Sequence, residues 1–268
     1  MKKLIFILFL LFQLSTFGQT VKVYEQKLNH LIEKRNYWME ENEKKFQDIA
    51  SDSMSYYNTA FEKSLLRVTA KNQESIQIKF KTLQENYINI LTSSDGNFRI
   101  YSWDTFEGGT MHFYRNILQF KTNGKVYSEI YTTDFQDNSC SFYDLNQVTS
   151  KNKNYYITSS VMVGSSAVYY YEAKVFSIEN KKLNRNASLI KTTSGMKNTV
   201  GYDIDFSSEA NRNDTSEINK FEYMSLDYDK KNKIILLALL TEDGIVTSKK
   251  IKYKFNGVYF EKMISNIK

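Results

Sequence analysis

The chain contains no proline, one cysteine and two histidines among 268 residues. Without proline, turns fall to Gly, Asn, Asp and Ser, and suitable pairs recur at Asp95-Gly96, Asn123-Gly124, Asp243-Gly244 and Asn256-Gly257. The lone Cys140 cannot form an intramolecular disulfide, so stability must come from packing, and the residue reads as a small buried hydrophobe. Zinc takes three or four suitably spaced ligands, and His30, His112 and Cys140 are scattered singly. A Ser or Cys nucleophile needs a base, yet His30 falls on a lysine-rich helix face and no family signature surrounds His112 or Cys140. Nucleotide-cradling glycine patterns are absent. The sequence therefore assigns no catalytic residue, no metal and no cofactor.

Long apolar runs are also scarce. The one present, Leu4 to Leu14, follows Lys2-Lys3 and precedes the small and polar Ser15, Thr16, Phe17 and Gly18. That order is the pattern of a secretory signal, with cleavage expected after Gly18. The run is roughly half the length of about 20 residues that a spanning helix requires. No cysteine follows it to carry a lipid, and no other stretch is apolar enough to cross a bilayer; Ile234 to Leu240 has strand length. The expectation is an exported chain, periplasmic or extracellular, with no membrane span after cleavage.

Charge of one sign does not cluster. The 36 basic and 30 acidic side chains give +6, or about +4 without the two signal lysines. Lysines alternate with Asn, Asp and Glu, whereas nucleic-acid binders gather them on one face, so no nucleic-acid partner is expected. What the chain has in abundance is aromatic: 20 Tyr and 18 Phe, residues suited to the half-buried pleated surface of strands.

The periodicity divides the chain into a signal over 1–18, a helical segment over 19–72 and an antiparallel β domain over 73–268. Tyr24, Leu28, Leu31, Trp38, Phe46 and Ile49 form one helical stripe with a gap near Asn42. Ser51-Asp52-Ser53 suggests a break and an N-cap, after which Tyr57, Phe61, Leu65 and Val68 form a second stripe. These stripes suit packing on the sheet better than a coiled-coil seam, since Arg35 and Asn42 would occupy seam positions. Residues 73–85 fit a strand or a helix. Strands are expected at 87–91, 98–103, 111–120, 126–131, 155–163, 167–178, 200–206, 221–228, 234–240, 245–255 and 258–263, with loops at 180–199 and 207–217. Such a meander makes a mainly β fold: a sandwich, an open barrel-like sheet or propeller-like blades.

The densest stretch runs Ser94-Asp95-Gly96-Asn97-Phe98-Arg99-Ile100-Tyr101-Ser102-Trp103-Asp104-Thr105, followed by Gly108-Gly109-Thr110-Met111-His112. Strand alternation puts Arg99, Tyr101 and Trp103 on one face and Phe98, Ile100 and Ser102 on the other. Gly108-Gly109 turns the chain back, bringing His112 towards Asp104 or Arg99. Over about 12 residues this resembles one blade of the WD-repeat propellers; those repeat at about 40–45 residues, and no second Trp-Asp follows, so the shared element is a hairpin. The whole Ser-x-Asp-Gly-x-Phe-Arg-x-Tyr-Ser-Trp-Asp-Thr…Gly-Gly-Thr-Met-His stretch, with Tyr253 to Phe260, resembles uncharacterised exported proteins of Bacteroidota. That resemblance implies compartment and lineage but no activity.

Two exposed rings among charged groups would suit recognition of a sugar or peptide. Arg99, Tyr101, Trp103, Asp104 and His112 are therefore the candidate binding residues, and an exposed Trp103 is the condition. The leading expectation is a non-catalytic envelope protein with a glycan, peptide or protein partner. Asp203, Asp205, Asp227 and Asp229 offer the alternative of a cell-envelope hydrolase with two carboxyls facing one cleft. A third expectation is an assembly component whose helices mediate oligomerisation.

Overall fold

The structure is a computed structural model that describes residues 23–41, 47–132 and 140–263. It is mainly β, with antiparallel sheets, an N-terminal helical segment and, among the described residues, no closed barrel. The expected signal lies outside the described residues.

Helix α1 covers residues 23–41 and α2 Gln47–Lys71. The chain then passes through a 3-10 turn at Ser75–Gln77 and a short helix α3 at Lys81–Glu85, which resolves the ambiguity of 73–85. The first sheet is the meander β1 (Asn89–Thr92), β2 (Phe98–Asp104), β3 (Tyr114–Thr122) and β4 (Lys125–Tyr131). The second is ordered β11 (Thr199–Asp205), β7 (Val168–Glu179), β6 (Lys153–Val163) and β5 (Ser141–Ser150), with β8 (Lys182–Asn184) also paired to β7. The third is ordered β10 (Gly195–Lys197), β9 (Ile190–Thr192), β15 (Phe260–Lys262), β14 (Val246–Phe255), β13 (Ile234–Leu240) and β12 (Asp227–Asp229). All these pairings are antiparallel except β15 with β9.

Three hydrophobic cores separate four layers. Leu28 and Ile32 of α1 and Phe61, Leu65 and Val68 of α2 pack against Tyr101, Trp103 and Ile117 of the first sheet. The other face of that sheet, through Phe98, Ile100, Leu118 and Phe120, meets Phe142, Tyr156 and Phe176 of the second. The far face of the second, through Val148, Ile157, Tyr171, Ala173 and Val175, meets Ile235, Leu237, Phe255 and Phe260 of the third. Each fully buried Leu, Ile or Phe contributes about 1.5–3 kcal/mol. Of the arrangements the meander allowed, the stacked sheets are a layered sandwich, with no blade-like repetition among the described residues.

Several local expectations are corrected. Ser51–Ser53 lie inside α2, which runs unbroken through them. The covered stripe of α2 begins earlier, at Ala50 and Met54, and Ile49 stands out to solvent. Tyr24 is likewise exposed, and Arg35 instead is buried on the covered side of α1. Residues 221–228 contain a helical turn, α5 (Lys220–Tyr223), before β12, with a second short helix, α4 (Glu209–Arg212), ahead of it. Strand β5 was not anticipated, nor were the short β8, β9 and β10 in a segment expected to be loop.

Candidate functional site: a polar groove on the second sheet

The expected binding hairpin forms. Strand β2 pairs antiparallel with β3, from Phe98 opposite Phe120 to Asp104 opposite Tyr114. Gly108 is required at the turn, because a Cβ there would come within 2.3 Å of the Met111 carbonyl and 2.5 Å of the Phe113 ring. His112 Nδ1 pairs with Asp104 Oδ2, and this imidazole remains accessible.

The rest of the hairpin is not a surface, which corrects the expected aromatic platform. Trp103 is 1% exposed, edge-on to Phe61, and Tyr101 is 0% exposed against Phe80. Arg99 is buried too: its guanidinium donates to the carbonyls of Ser75 (3.1 Å) and Ile78 (2.6 Å) and to Thr92 Oγ1 (2.7 Å). It anchors the connection between α2 and β1. Arg99, Tyr101 and Trp103 do share one face, but α1 and α2 cover it, so the exposed-Trp103 condition is not met. The Asp95-Gly96 turn is engaged as well. Asp95 Oδ2 accepts from Asn154 (2.9 Å) and the Tyr156 hydroxyl (3.0 Å), docking the first sheet on the second.

An open concavity lies where the second sheet extends past the first. On strand β7, Phe176 lies beneath the first sheet, whereas Lys174, Glu172 and Tyr170 continue the same face beyond it. Their cross-strand partners are Thr158, Ser160 and Met162 on β6 and Thr199, Gly201 and Asp203 on β11. Of these, Ser160, Met162, Thr199 and Asp203 join Tyr170, Glu172 and Lys174, with Tyr131, Thr132 and Cys140 as one wall and Arg185, Asn186 and Asn198 at the rim, to line an open groove of about 730 Å³.

Register sets the geometry of its floor. Glu172 faces Gly201 and Asp203 faces Tyr170, so the two carboxylates are diagonal neighbours on one face. Their stems are on the order of 7–8 Å apart. Gly201 leaves room for the tyrosine: a Cβ there would fall 2.7 Å from the Tyr170 hydroxyl. That hydroxyl reaches Glu172 Oε2 at 3.5 Å.

The cations are already engaged at the wall. Lys174 Nζ donates to the Tyr131 hydroxyl at 3.1 Å, and Arg185 reaches Glu129 Oε1 through Nε (2.9 Å) and Nη2 (2.6 Å). Arg185 also donates to the Ile130 carbonyl at 3.1 Å and lies 5.2 Å from the Tyr131 ring centre. No protein-family model matches the chain, and no curated protein is significantly similar to it. The site must be interpreted on its own chemistry.

Burial pushes the Glu172 carboxyl above its ordinary value, against the opposing pull of Lys174 and of hydrogen bonds from Thr199 and Tyr170. Burial also pushes the Cys140 thiol up to about 12, so the sulfur is a wall atom rather than a nucleophile. Among the described residues, the carboxylate of Asp203, an exposed residue of the edge strand, receives no hydrogen bond and no ion pair, and no group of three or more His, Cys, Asp or Glu could hold a metal.

Of the four acids considered for hydrolysis, only Asp203 lines the groove. Asp205 accepts from Ser207, and Asp229 from Asn232. Asp227 accepts from Ser225 and pairs with Lys250 at 3.3 Å. Glu172, Lys174, Arg185 and Tyr131 were not singled out from sequence. The available signal was on β7, where Tyr170, Glu172 and Lys174 alternate with Tyr171, Ala173 and Val175 on a long strand: a face that turns polar partway along has lost its cover.

Proposed function

We propose that the chain is a non-catalytic binding protein of the bacterial cell envelope whose ligand occupies the groove between Tyr131, Glu172 and Asp203. One observation supports this reading: a concavity of about 730 Å³ in which aromatic rings, side-chain amides and charges converge. Binding sites of this size take ligands of a few sugar or amino-acid units, with apolar area supplied by rings and orientation by a few polar groups. Export from a Bacteroidota-like cell, drawn from the N-terminal pattern and the central stretch, would place a glycan or peptide of the envelope within reach. No helix among the described residues is long and apolar enough to cross a membrane.

Calorimetric titration of the chain with envelope oligosaccharide and peptide fragments tests this directly. Saturable binding that is lost in Thr199→Trp, which fills the groove from its edge strand, is the expected outcome. Undiminished binding by that variant would refute the assignment.

A second reading, hydrolysis by paired carboxylates, draws on the same register that places Glu172 diagonal to Asp203. Two carboxyls in unlike surroundings can divide acid and base roles. New reducing ends released from envelope polysaccharide by the wild type, and not by Glu172→Gln, would establish it. Their absence would remove it.

A further inference from the structure

The second sheet ends at β11, which pairs with β7 on one side and, among the described residues, with no strand on the other. Its register is unbroken from Thr199 opposite Lys174 to Asp205 opposite Val168. Just beyond its two ends, the Val175 N–H donates to the Asn198 carbonyl at 2.8 Å and the Phe206 N–H to the Ala167 carbonyl at 2.9 Å. Bonded pairs alternate with unbonded ones in an antiparallel ladder. The even-numbered residues of β11 therefore bond to β7, while Thr199, Gly201, Asp203 and Asp205 turn their N–H and C=O groups to the open side. The Asp205 carbonyl is taken there by Ser208 and Asn211. Among the described residues, no hydrogen bond reaches the main chain of Thr199, Gly201 or Asp203 from that side. Gly201 is exposed, and without a side chain that exposure belongs to the main chain itself.

Other sheet edges differ. Strands β10 and β12 have three residues each and β1 has four. The register of β5 is broken between Phe142 and Asp144, and on β4 the Ile130 carbonyl is held by Arg185. Features of this kind blunt an edge, because a row of unpaired donors and acceptors is a template for another strand. On β11 the Asp203 carboxylate stands on the groove face, off the edge, and the row from Thr199 to Asp203 stays open beside the groove.

We infer that the ligand is a peptide segment in extended conformation, added to the second sheet as a strand along β11. This rests on the groove being the binding site and selects peptide over glycan. Main-chain bonds to Thr199, Gly201 and Asp203 supply affinity, and alternate side chains supply specificity, as in strand addition generally. A residue directly opposite Gly201 shares its face, so its side chain enters the groove between Thr199 and Asp203. Gly201 puts no side chain in the way, and the Tyr170 hydroxyl and Glu172 lie beyond it. The intervening peptide residues face the other side, level with Val200 and Tyr202, which pack on the apolar core. A glycan lacks the regularly spaced main-chain amides that this edge matches.

Amide hydrogen exchange of the full chain, followed residue by residue by NMR, tests this. In the free chain the amides of Val200 and Tyr202 should exchange slowly and those of Gly201 and Asp203 fast. The probes are short acetylated and amidated peptides in which threonine alternates with each other residue type in turn. At least one is expected to bind saturably and to slow exchange at Gly201 and Asp203 by about tenfold or more. N-methylating one alternate set of its amides should weaken binding about tenfold, and methylating the other set should leave it unchanged, because only alternate residues of an added strand bond to the edge. Equal loss from the two sets, or none, overturns the inference. Gly201 and Asp203 amides that already resist exchange in the free chain also overturn it, since the edge is then covered. If no peptide slows them the inference falls, and the envelope-fragment titration separately decides the groove: oligosaccharide binding that Thr199→Trp abolishes would keep it as the site.

Discussion

The guanidinium of Arg35, on α1, donates to the main-chain carbonyl of Asp104 at 2.8 Å across 69 residues of sequence. Its other donors meet Asn36, and its planar group lies 4.8 Å from the centre of the Phe106 ring. Burial holds the Arg35 group down at about 10, opposed by the Asp104 charge, so it stays cationic at neutral pH. This contact fastens the first helix to the end of β2 and helps to cover Trp103.

Arg35→Ala is expected to destabilise the chain by about 1.5–3 kcal/mol, the usual worth of a hydrogen bond to a charged group. Denaturant titration of both proteins checks this. A change below about 0.5 kcal/mol, as for ordinary surface substitutions, would mean that the clamp does not hold.

Trp103→Ala removes a fully buried ring from the core beneath α1 and α2. A loss of about 3–5 kcal/mol is expected. At a denaturant concentration where the variant stays folded, ligand affinity should be unchanged. A variant of wild-type stability with lost binding would return the function to the hairpin.

Much of the fold was legible because two periods carry it. Leu28 with Phe61, Leu65 and Val68 marked covered helix faces, and the alternating strands from 98 to 131 were placed within a few residues. Strand β5 was hidden by a register shift between Phe142 and Asp144. It puts Phe142 and Leu145, three apart, on the same face, a spacing that does not alternate as a strand should. The hairpin was misjudged for a different reason. Alternation on β2 shows that Arg99, Tyr101 and Trp103 share a face, but not that helices cover it while another sheet covers Phe98, Ile100 and Ser102. All six are buried. The groove was invisible because it joins residues from β4 to β11, and only Gly201 in mid-strand hinted at a close approach.

Cys140 should resist thiol reagents. Its sulfur is buried and its thiol is pushed up to about 12, so almost no thiolate exists at pH 8. Iodoacetamide is expected to leave the native chain unlabelled and to label it fully in denaturant. Rapid native labelling would contradict the closed wall.

Glu172 links stability to pH. Its carboxyl is raised by burial, so the folded chain binds this proton more readily than the unfolded one. The stabilisation is complete below the unfolded value and is lost as pH rises through the folded one. Lys174, Arg185, Tyr170, Tyr131, Cys140 and Asp203 around it are common to both proteins. Glu172→Gln should therefore melt above the wild type near pH 7 and together with it at about pH 3, below the ordinary carboxylate range. A variant less stable than wild type at pH 7 would show that the carboxylate is compensated.

The most direct test of where this protein binds compares two variants in one retention experiment with envelope extract. Thr199→Trp obstructs the groove, and His112→Ala alters the accessible tip of the hairpin; both would first be shown to be folded. Loss of the retained glycan or peptide in Thr199→Trp, with retention unchanged in His112→Ala, is the predicted result. Retention by Thr199→Trp and loss in His112→Ala would contradict the account and restore the hairpin as the site.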